Sequence, residues 1–138
     1  MNKSVPWFYL ALGLAQAAHS IEEIYTHLYD WIPRVSGALH QSLGFVPVVQ
    51  PSAEWFASGN VVIVAAMFLF SPFVFQNKSW AWMIATVVAV IETLNAINHI
   101  SAAFITGGYF PGCVSAVLLL GLSIPNWTRK WIWRKETK

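Results

Sequence analysis

The sequence predicts an all-α integral membrane protein, a bundle of four transmembrane helices, and three observations lead to this fold class. Hydrophobic residues make up 57% of the 138 residues and charged residues only 10%, against roughly 25% charged in an ordinary soluble domain. Four apolar segments are long enough to cross about 30 Å of hydrocarbon, which takes roughly 20 helical residues. The eight Trp, nine Phe and four Tyr residues match the aromatic enrichment of membrane–water interfaces. So few charges could not cover the surface of a soluble protein, and that class is excluded.

The four apolar segments form a single transmembrane domain, residues 1–138, with predicted helices at about residues 5–28, 54–75, 79–105 and 108–127. Helices are expected rather than strands because the segments are long and continuously apolar, and lipid leaves few other backbone structures. A short polar turn joins the second and third helices. The longer connection, residues 30–53, mixes prolines with large apolar side chains. We expect it to be an outer loop in the interface or a lid over the helix ends.

The basic residues predict the orientation of the bundle. Lys3, Lys78 and the five basic residues of the tail at 128–138 fall on one side of a four-helix topology, whereas Arg34 falls on the other. Basic residues concentrate on the cytoplasmic side of membrane proteins. Both termini are therefore expected to be cytoplasmic, in a plasma or inner membrane, with the lipid bilayer as partner. The basic tail is interpreted as the cytoplasmic end of a span, and no nucleic acid is expected to bind.

Ionisable residues inside the spans concentrate on the first and third predicted helices. On the first helix, His19, Glu23 and His27 are spaced by four residues and share one stripe, with Glu22 on its edge. Charged groups in hydrocarbon are costly, so such residues tend to face the bundle interior and to carry function. The stripe is therefore the first half of a candidate site.

The third predicted helix supplies the second half. Glu92, Asn95 and His99 stand at i, i+3 and i+7 and share one narrow face. At 1.5 Å per residue, His19 and Glu92 each lie about 20 Å above the cytoplasmic ends of their helices. The two polar faces are level, in the outer half of the membrane, and they form one site if the two helices touch.

The same residues carry a resemblance to a known family. The chain contains, in order, His19-x-x-Glu22-Glu23, Asn95-x-x-x-His99 and Tyr109-x-Pro111-Gly112. In these three motifs it resembles the HXXEE-domain family of small membrane proteins. The resemblance implies motif positions and no reaction, and Glu92 and His27 lie outside the motifs.

The third motif is expected to begin the fourth helix on the outer side, where Pro111 is tolerated in a first turn and Gly112 permits close approach. There Tyr109 could supply a hydroxyl group to the site. Equally, it could be an interfacial tyrosine at an ordinary helix start.

The first functional hypothesis is a metalloenzyme. Imidazoles and carboxylates at helical spacing on facing helices hold iron, manganese or zinc in helical bundles. The predicted ligands of a divalent metal, iron or zinc, are His19, Glu23, Glu92 and His99. Such a metal could activate water, or dioxygen if it is iron.

Three further hypotheses remain open. In a metal-free isomerase or hydrolase, carboxylates and histidines would move protons on a lipid-soluble substrate. The residues predicted to act in catalysis, with or without metal, are Glu22, Glu23, Glu92, Asn95 and Tyr109. Buried polar residues could instead carry protons, ions or a small solute, in a homo-oligomer if four helices are too few. They could also merely lock two helices together. An enzyme that acts on an apolar or small substrate is favoured, because the polar residues are many and level.

Overall fold

A computed structural model describes the backbone of residues 5–136 and the side chains of residues 6–128. The described residues form helices and no strands, which confirms the all-α part of the prediction. The elements, in order, are α1 (Val5–Tyr25), a 3₁₀ turn (Leu28–Asp30), α2 (Ile32–Leu43), α3 (Ala53–Phe75), α4 (Ser79–Thr106) and α5 (Cys113–Glu136). The predicted third and fourth helices are therefore α4 and α5.

The predicted number of helices is wrong, because the described residues form five α-helices rather than four. The additional helix, α2, lies inside the connection that was expected to be a loop. Pro33 stands in its first turn, where its fixed φ favours a helix, and Gly44 ends it with a φ of 75°. The prolines therefore start and flank a helix instead of preventing one.

The connection between α4 and α5 also differs from the prediction. Helix α4 ends at Gly107, whose φ of 69° is the left-handed conformation typical of a helix end. The motif from Tyr109 to Gly112 lies outside both helices, and α5 begins only at Cys113. Helix α5 then continues through the predicted tail to Glu136. The basic side chains of Lys3 and of the tail, from Arg129 onward, lie outside the described residues.

Small side chains let the helices approach closely. Helix α5 packs against α4 and α1, and α1 packs against α3. The core where these helices meet contains Ala89, Ala96 and Ala116, all fully buried, beside Leu12 and Leu119. Small residues at helix interfaces are typical of membrane bundles, because helices in lipid associate through close van der Waals packing and not through the hydrophobic effect.

Buried hydrogen bonds join the helix pairs. Between α1 and α3, the Ser20 hydroxyl donates to Asn60 Oδ1 at 2.6 Å. Between α4 and α5, Thr93 Oγ1 donates to Ser123 Oγ at 2.9 Å. These contacts hold α3 and α5 on either side of α1 and α4, which carry the polar stripes.

Among the described residues, α3 and α4 are long and apolar enough to cross a membrane. This result rests on their length and composition. Helix α5 contains a shorter apolar stretch, Cys113–Thr128. Helix α1 is less apolar because it contains four polar residues, Gln16, His19, Glu22 and Glu23.

Candidate metal centre

Two residues of α1 form the first part of the centre. His19 is fully buried and Glu23 is 6% exposed. Because they are four residues apart, their side chains lie one above the other on the helix. The distance from His19 Nε2 to Glu23 Oε1 is 3.2 Å.

Helix α4 brings the third residue, His99, to the same carboxylate. His99 Nε2 lies 3.0 Å from Glu23 Oε1, and the rings of His19 and His99 meet edge to face with centroids 4.6 Å apart. One donor atom from each of the three residues lies within 4.8 Å of the others. The group is buried and could hold a metal ion.

The distances suit one ion. Zinc binds imidazole nitrogen at about 2.0–2.1 Å and carboxylate oxygen at about 2.0–2.2 Å, so two ligands of a tetrahedral ion stand about 3.3–3.5 Å apart. The two nitrogen–oxygen distances are 3.0 and 3.2 Å, so small shifts of the side chains would admit one ion. The donor set, two histidines and one carboxylate, is used by catalytic zinc and by non-haem iron.

The second nitrogen of each ring is held by a hydrogen bond. His99 Nδ1 lies 2.6 Å from the Pro111 carbonyl oxygen, which can only accept, so the proton is on Nδ1. His19 Nδ1 lies 2.8 Å from Ser115 Oγ, and Asn95 Nδ2 donates to His19 Nε2 at 3.3 Å. Such contacts fix the tautomer of metal-binding histidines and turn Nε2 toward the ion.

When both rings are neutral and carry their proton on Nδ1, two nitrogen lone pairs face one oxygen. When Nδ1 of a neutral imidazole carries the proton, Nε2 is an acceptor, and so is a carboxylate. Both Nε2 atoms nevertheless lie within 3.2 Å of Glu23 Oε1. Acceptors this close repel unless a proton or a cation lies between them. One cation at the centre would satisfy all three atoms at once.

Gly112 closes the centre from the α4–α5 connection. A Cβ atom at this position would stand 2.7 Å from His99 Nδ1 and 2.9 Å from His19 Cε1. Its φ of 84° is also a conformation that side-chain-bearing residues rarely adopt. The Pro-Gly pair therefore supplies a carbonyl acceptor through Pro111 and space for both rings through Gly112.

Glu22, one of the predicted catalytic residues, caps α5. Its Oε2 accepts from the backbone N–H of Ser115 at 2.7 Å and its Oε1 from that of Val114 at 3.2 Å. The Tyr109 hydroxyl donates to Glu22 Oε1 at 2.7 Å. A carboxylate at a helix N-terminus pairs with free N–H groups and with the positive end of the helix dipole.

Tyr109 is 54% exposed and its hydroxyl belongs to this cap. Partial burial of the Tyr109 side chain raises its pKa above the usual value, and the hydrogen bond to Glu22 raises it further. The structure therefore places Tyr109 beside the carboxylate of Glu22 rather than at the two histidines.

Glu92 and Asn95 lie next to the centre. The carboxyl group of Glu92 interacts with Asn95, His19 and Glu23, and its residue is 5% exposed. It does not belong to the group whose donor atoms converge, so Glu92, which was expected to be the fourth ligand, lies beside the three candidate ligands. Asn95 is half-buried and bridges the space between Glu92 and His19.

His27 lies outside the centre, which corrects the expectation that it extends the stripe. Helix α1 ends at Tyr25, and His27 has a φ of 57°, which turns the chain away from the helical path. Its side chain is 63% exposed and lies 3.9 Å from Asp30. Helical spacing is informative only while the helix continues.

Among the described residues, Ser115 contacts the candidate centre and was not predicted from the sequence. It supports His19 from the first turn of α5, 96 residues along the chain. A weak signal existed, since a hydroxyl residue stands three positions after Gly112, but serines are common at helix starts for local reasons.

The three motifs therefore meet at one place in the structure, and a comparison with known proteins agrees with them. A model of a family described as proteins of unknown function with an HXXEE motif matches residues 10–125. No curated protein and no solved structure matches the chain. The match covers most of the 138 residues, and the chain belongs to the HXXEE family.

Proposed function

We propose that this protein is a membrane-embedded, metal-dependent enzyme whose metal ion is held by His19, Glu23 and His99. One observation carries the proposal. Two Nε2 atoms face a single carboxylate oxygen at 3.2 and 3.0 Å, while each Nδ1 is engaged elsewhere. The hydrogen bonds at Nδ1 leave both Nε2 atoms facing the carboxylate, so a single cation between them would contact all three groups at once.

We propose that four helices cross the membrane: α3 and α4, which are long and apolar enough, and also α1 and α5. Large apolar side chains are exposed along α3 and α4, for example Val62, Leu69, Ile91 and Leu94. Apolar faces of this extent are unfavourable in water and suit a lipid surface. We place α1 and α5 in the membrane beside them, α2 at the outer interface and both termini in the cytoplasm, on the basis of the positive residues.

Three protein ligands favour catalysis over a structural role for the ion. Structural zinc sites use four protein ligands, whereas catalytic sites keep at least one position for water or substrate. A zinc ion would lower the pKa of its bound water, and iron held by two histidines and a carboxylate would bind dioxygen. The substrate would be an apolar or small molecule that reaches the centre from the membrane or the outer face.

The first experiment measures the metal content of the detergent-purified protein, prepared without chelators. We expect close to one transition-metal ion per chain. His99→Ala and Glu23→Gln should lose it, while the control His27→Ala, which changes an exposed histidine outside the centre, should keep it. Wild-type protein without metal, even after incubation with zinc or iron, would contradict the proposal and favour acid–base chemistry or transport.

A second measurement separates a catalytic ion from a structural one. The protein loaded with Co²⁺ should change its visible absorption spectrum when azide is added, because azide can take an open coordination position. A bound Co²⁺ ion whose spectrum does not respond to azide would show a closed, structural site. That result would contradict the enzymatic part of the proposal while leaving the metal site intact.

A further inference from the structure

An apolar cavity lies between α3 and α4, on the side of Glu92 away from the α4–α5 connection. It has a volume of about 420 Å³, within the range of about 300–1,000 Å³ that is typical of small-molecule sites. Its α3 wall runs from Ile63 to Phe70 and its α4 wall from Ile84 to Glu92. Eight residues of helix correspond to about 12 Å, so the cavity is elongated along the bundle.

Among the described residues, Glu92 alone brings a carboxyl group to this cavity, whose other lining residues are apolar apart from Tyr9. Glu92 Oε2 is buried and has no hydrogen-bond partner among the described residues. A buried acceptor without a partner costs about 1–3 kcal/mol, and more when it is charged. Apolar cavities tend to stay dry, so a ligand that brings its own donor would remove this cost.

We propose that the cavity binds a long-chain alcohol, with the apolar chain between α3 and α4 and the hydroxyl group donating to Glu92 Oε2. The walls match an apolar chain, and the unsatisfied oxygen matches a single donor at its end. An alcohol fits better than an amine, because an ammonium group is costly to carry through hydrocarbon. The cavity is lined by α3 residues that face lipid, such as Ile63, so the ligand can enter from the membrane.

Glu92 lies close to the candidate metal centre, and so would the hydroxyl group of the bound alcohol. Asn95 is one turn from Glu92 on α4 and donates to His19 Nε2. The hydroxyl end of a bound alcohol would therefore lie beside the centre. That the alcohol is a substrate rests on the proposed function, whereas its binding does not.

The test uses two photoreactive probes on the purified, detergent-solubilised protein. One is a hexadecanol with a diazirine in its chain, and the other is its methyl ether, which has no donor. We expect saturable labelling by the alcohol, and half-saturation by the ether at a concentration about tenfold higher, as one lost hydrogen bond to a carboxylate predicts. Labelling needs no turnover and no metal, so its outcome is independent of the metal analysis.

Variants locate the binding. Ala66→Phe fills the cavity and should abolish saturable labelling, whereas Ala65→Phe, on the same helix but outside the cavity lining, should preserve it. Glu92→Leu should remove the preference for the alcohol over the ether. Equal labelling by both probes in the wild type would overturn the role of Glu92.

The wild type alone provides a further check if Ala66→Phe does not fold. Mass spectrometry should place the adducts within residues 63–70 and 84–92. Adducts spread over the exposed apolar surface would show that the probe dissolves in the detergent and has no site. Saturable labelling that Ala66→Phe leaves unchanged would show that the alcohol binds elsewhere. Either result would make the proposal wrong.

Discussion

His99 Nδ1 lies 2.6 Å from the carbonyl oxygen of Pro111, and this contact determines what the opposite nitrogen of the ring can do. The carbonyl can only accept, so Nδ1 donates to it, and Nε2 is the nitrogen that faces Glu23. Gly112, the next residue, leaves space for the ring. The α4–α5 connection thus contacts the candidate metal centre, and its role can be tested by substitutions that change no proposed ligand.

Gly112→Ala should damage the centre although it removes no ligand. The new Cβ would lie 2.7 Å from His99 Nδ1, and the φ of 84° is strained for alanine. We expect metal affinity to fall at least tenfold, as measured by titration with zinc against a fluorescent chelator. Gly108→Ala is the control, because nothing lies within 4 Å of that position. Unchanged affinity in Gly112→Ala would mean that the connection is not rigid.

Ser115→Ala should weaken metal binding through His19. Loss of the partner of Nδ1 frees the ring to rotate, and removal of such partners costs about 10–100-fold in metal affinity. The same zinc titration measures it. Ser101→Ala changes an exposed serine of α4 and should bind as the wild type does. Identical affinities for both variants would remove Ser115 from the centre.

Glu22→Ala should lower the stability of the fold and leave the metal content close to that of the wild type. It removes the acceptor for two backbone N–H groups of α5 and for the Tyr109 hydroxyl. Loss of a helix cap costs about 1–2 kcal/mol, so the thermal unfolding midpoint in detergent should fall. Glu54→Ala, at an exposed residue of the first turn of α3, should change the midpoint less. A metal content that falls with an unchanged midpoint would instead make Glu22 a ligand.

Asn60→Ala should lower the stability of the fold without affecting the candidate metal centre. Asn60 is 7% exposed and accepts from Ser20 between α1 and α3. Its loss should cost about 1–2 kcal/mol of unfolding free energy while the metal content stays at the wild-type level. Asn98→Ala, at an exposed position of α4, should change neither quantity. Metal loss in Asn60→Ala would show that the α1–α3 contact also positions the centre.

The amino-acid sequence by itself determined the helical class, the family and the pairing of His19 with Glu23. These depend on composition and on the i, i+4 geometry of one helix, which is local. The level position of His99 followed from counting residues along two helices. Helix α2 was missed because Pro33 was interpreted as a loop signal, although proline is also favoured in a first helical turn.

Only the tertiary structure decided how the polar residues divide their roles. Glu22 and Glu23 are neighbours in the sequence, yet one caps α5 and the other faces two histidines. Ser115 reaches His19 across 96 residues. Such contacts depend on which helix faces lie together and on where α1 ends and α5 begins. Those are set by packing over the whole bundle, in which backbones approach closely at alanines, and no spacing along one helix encodes them.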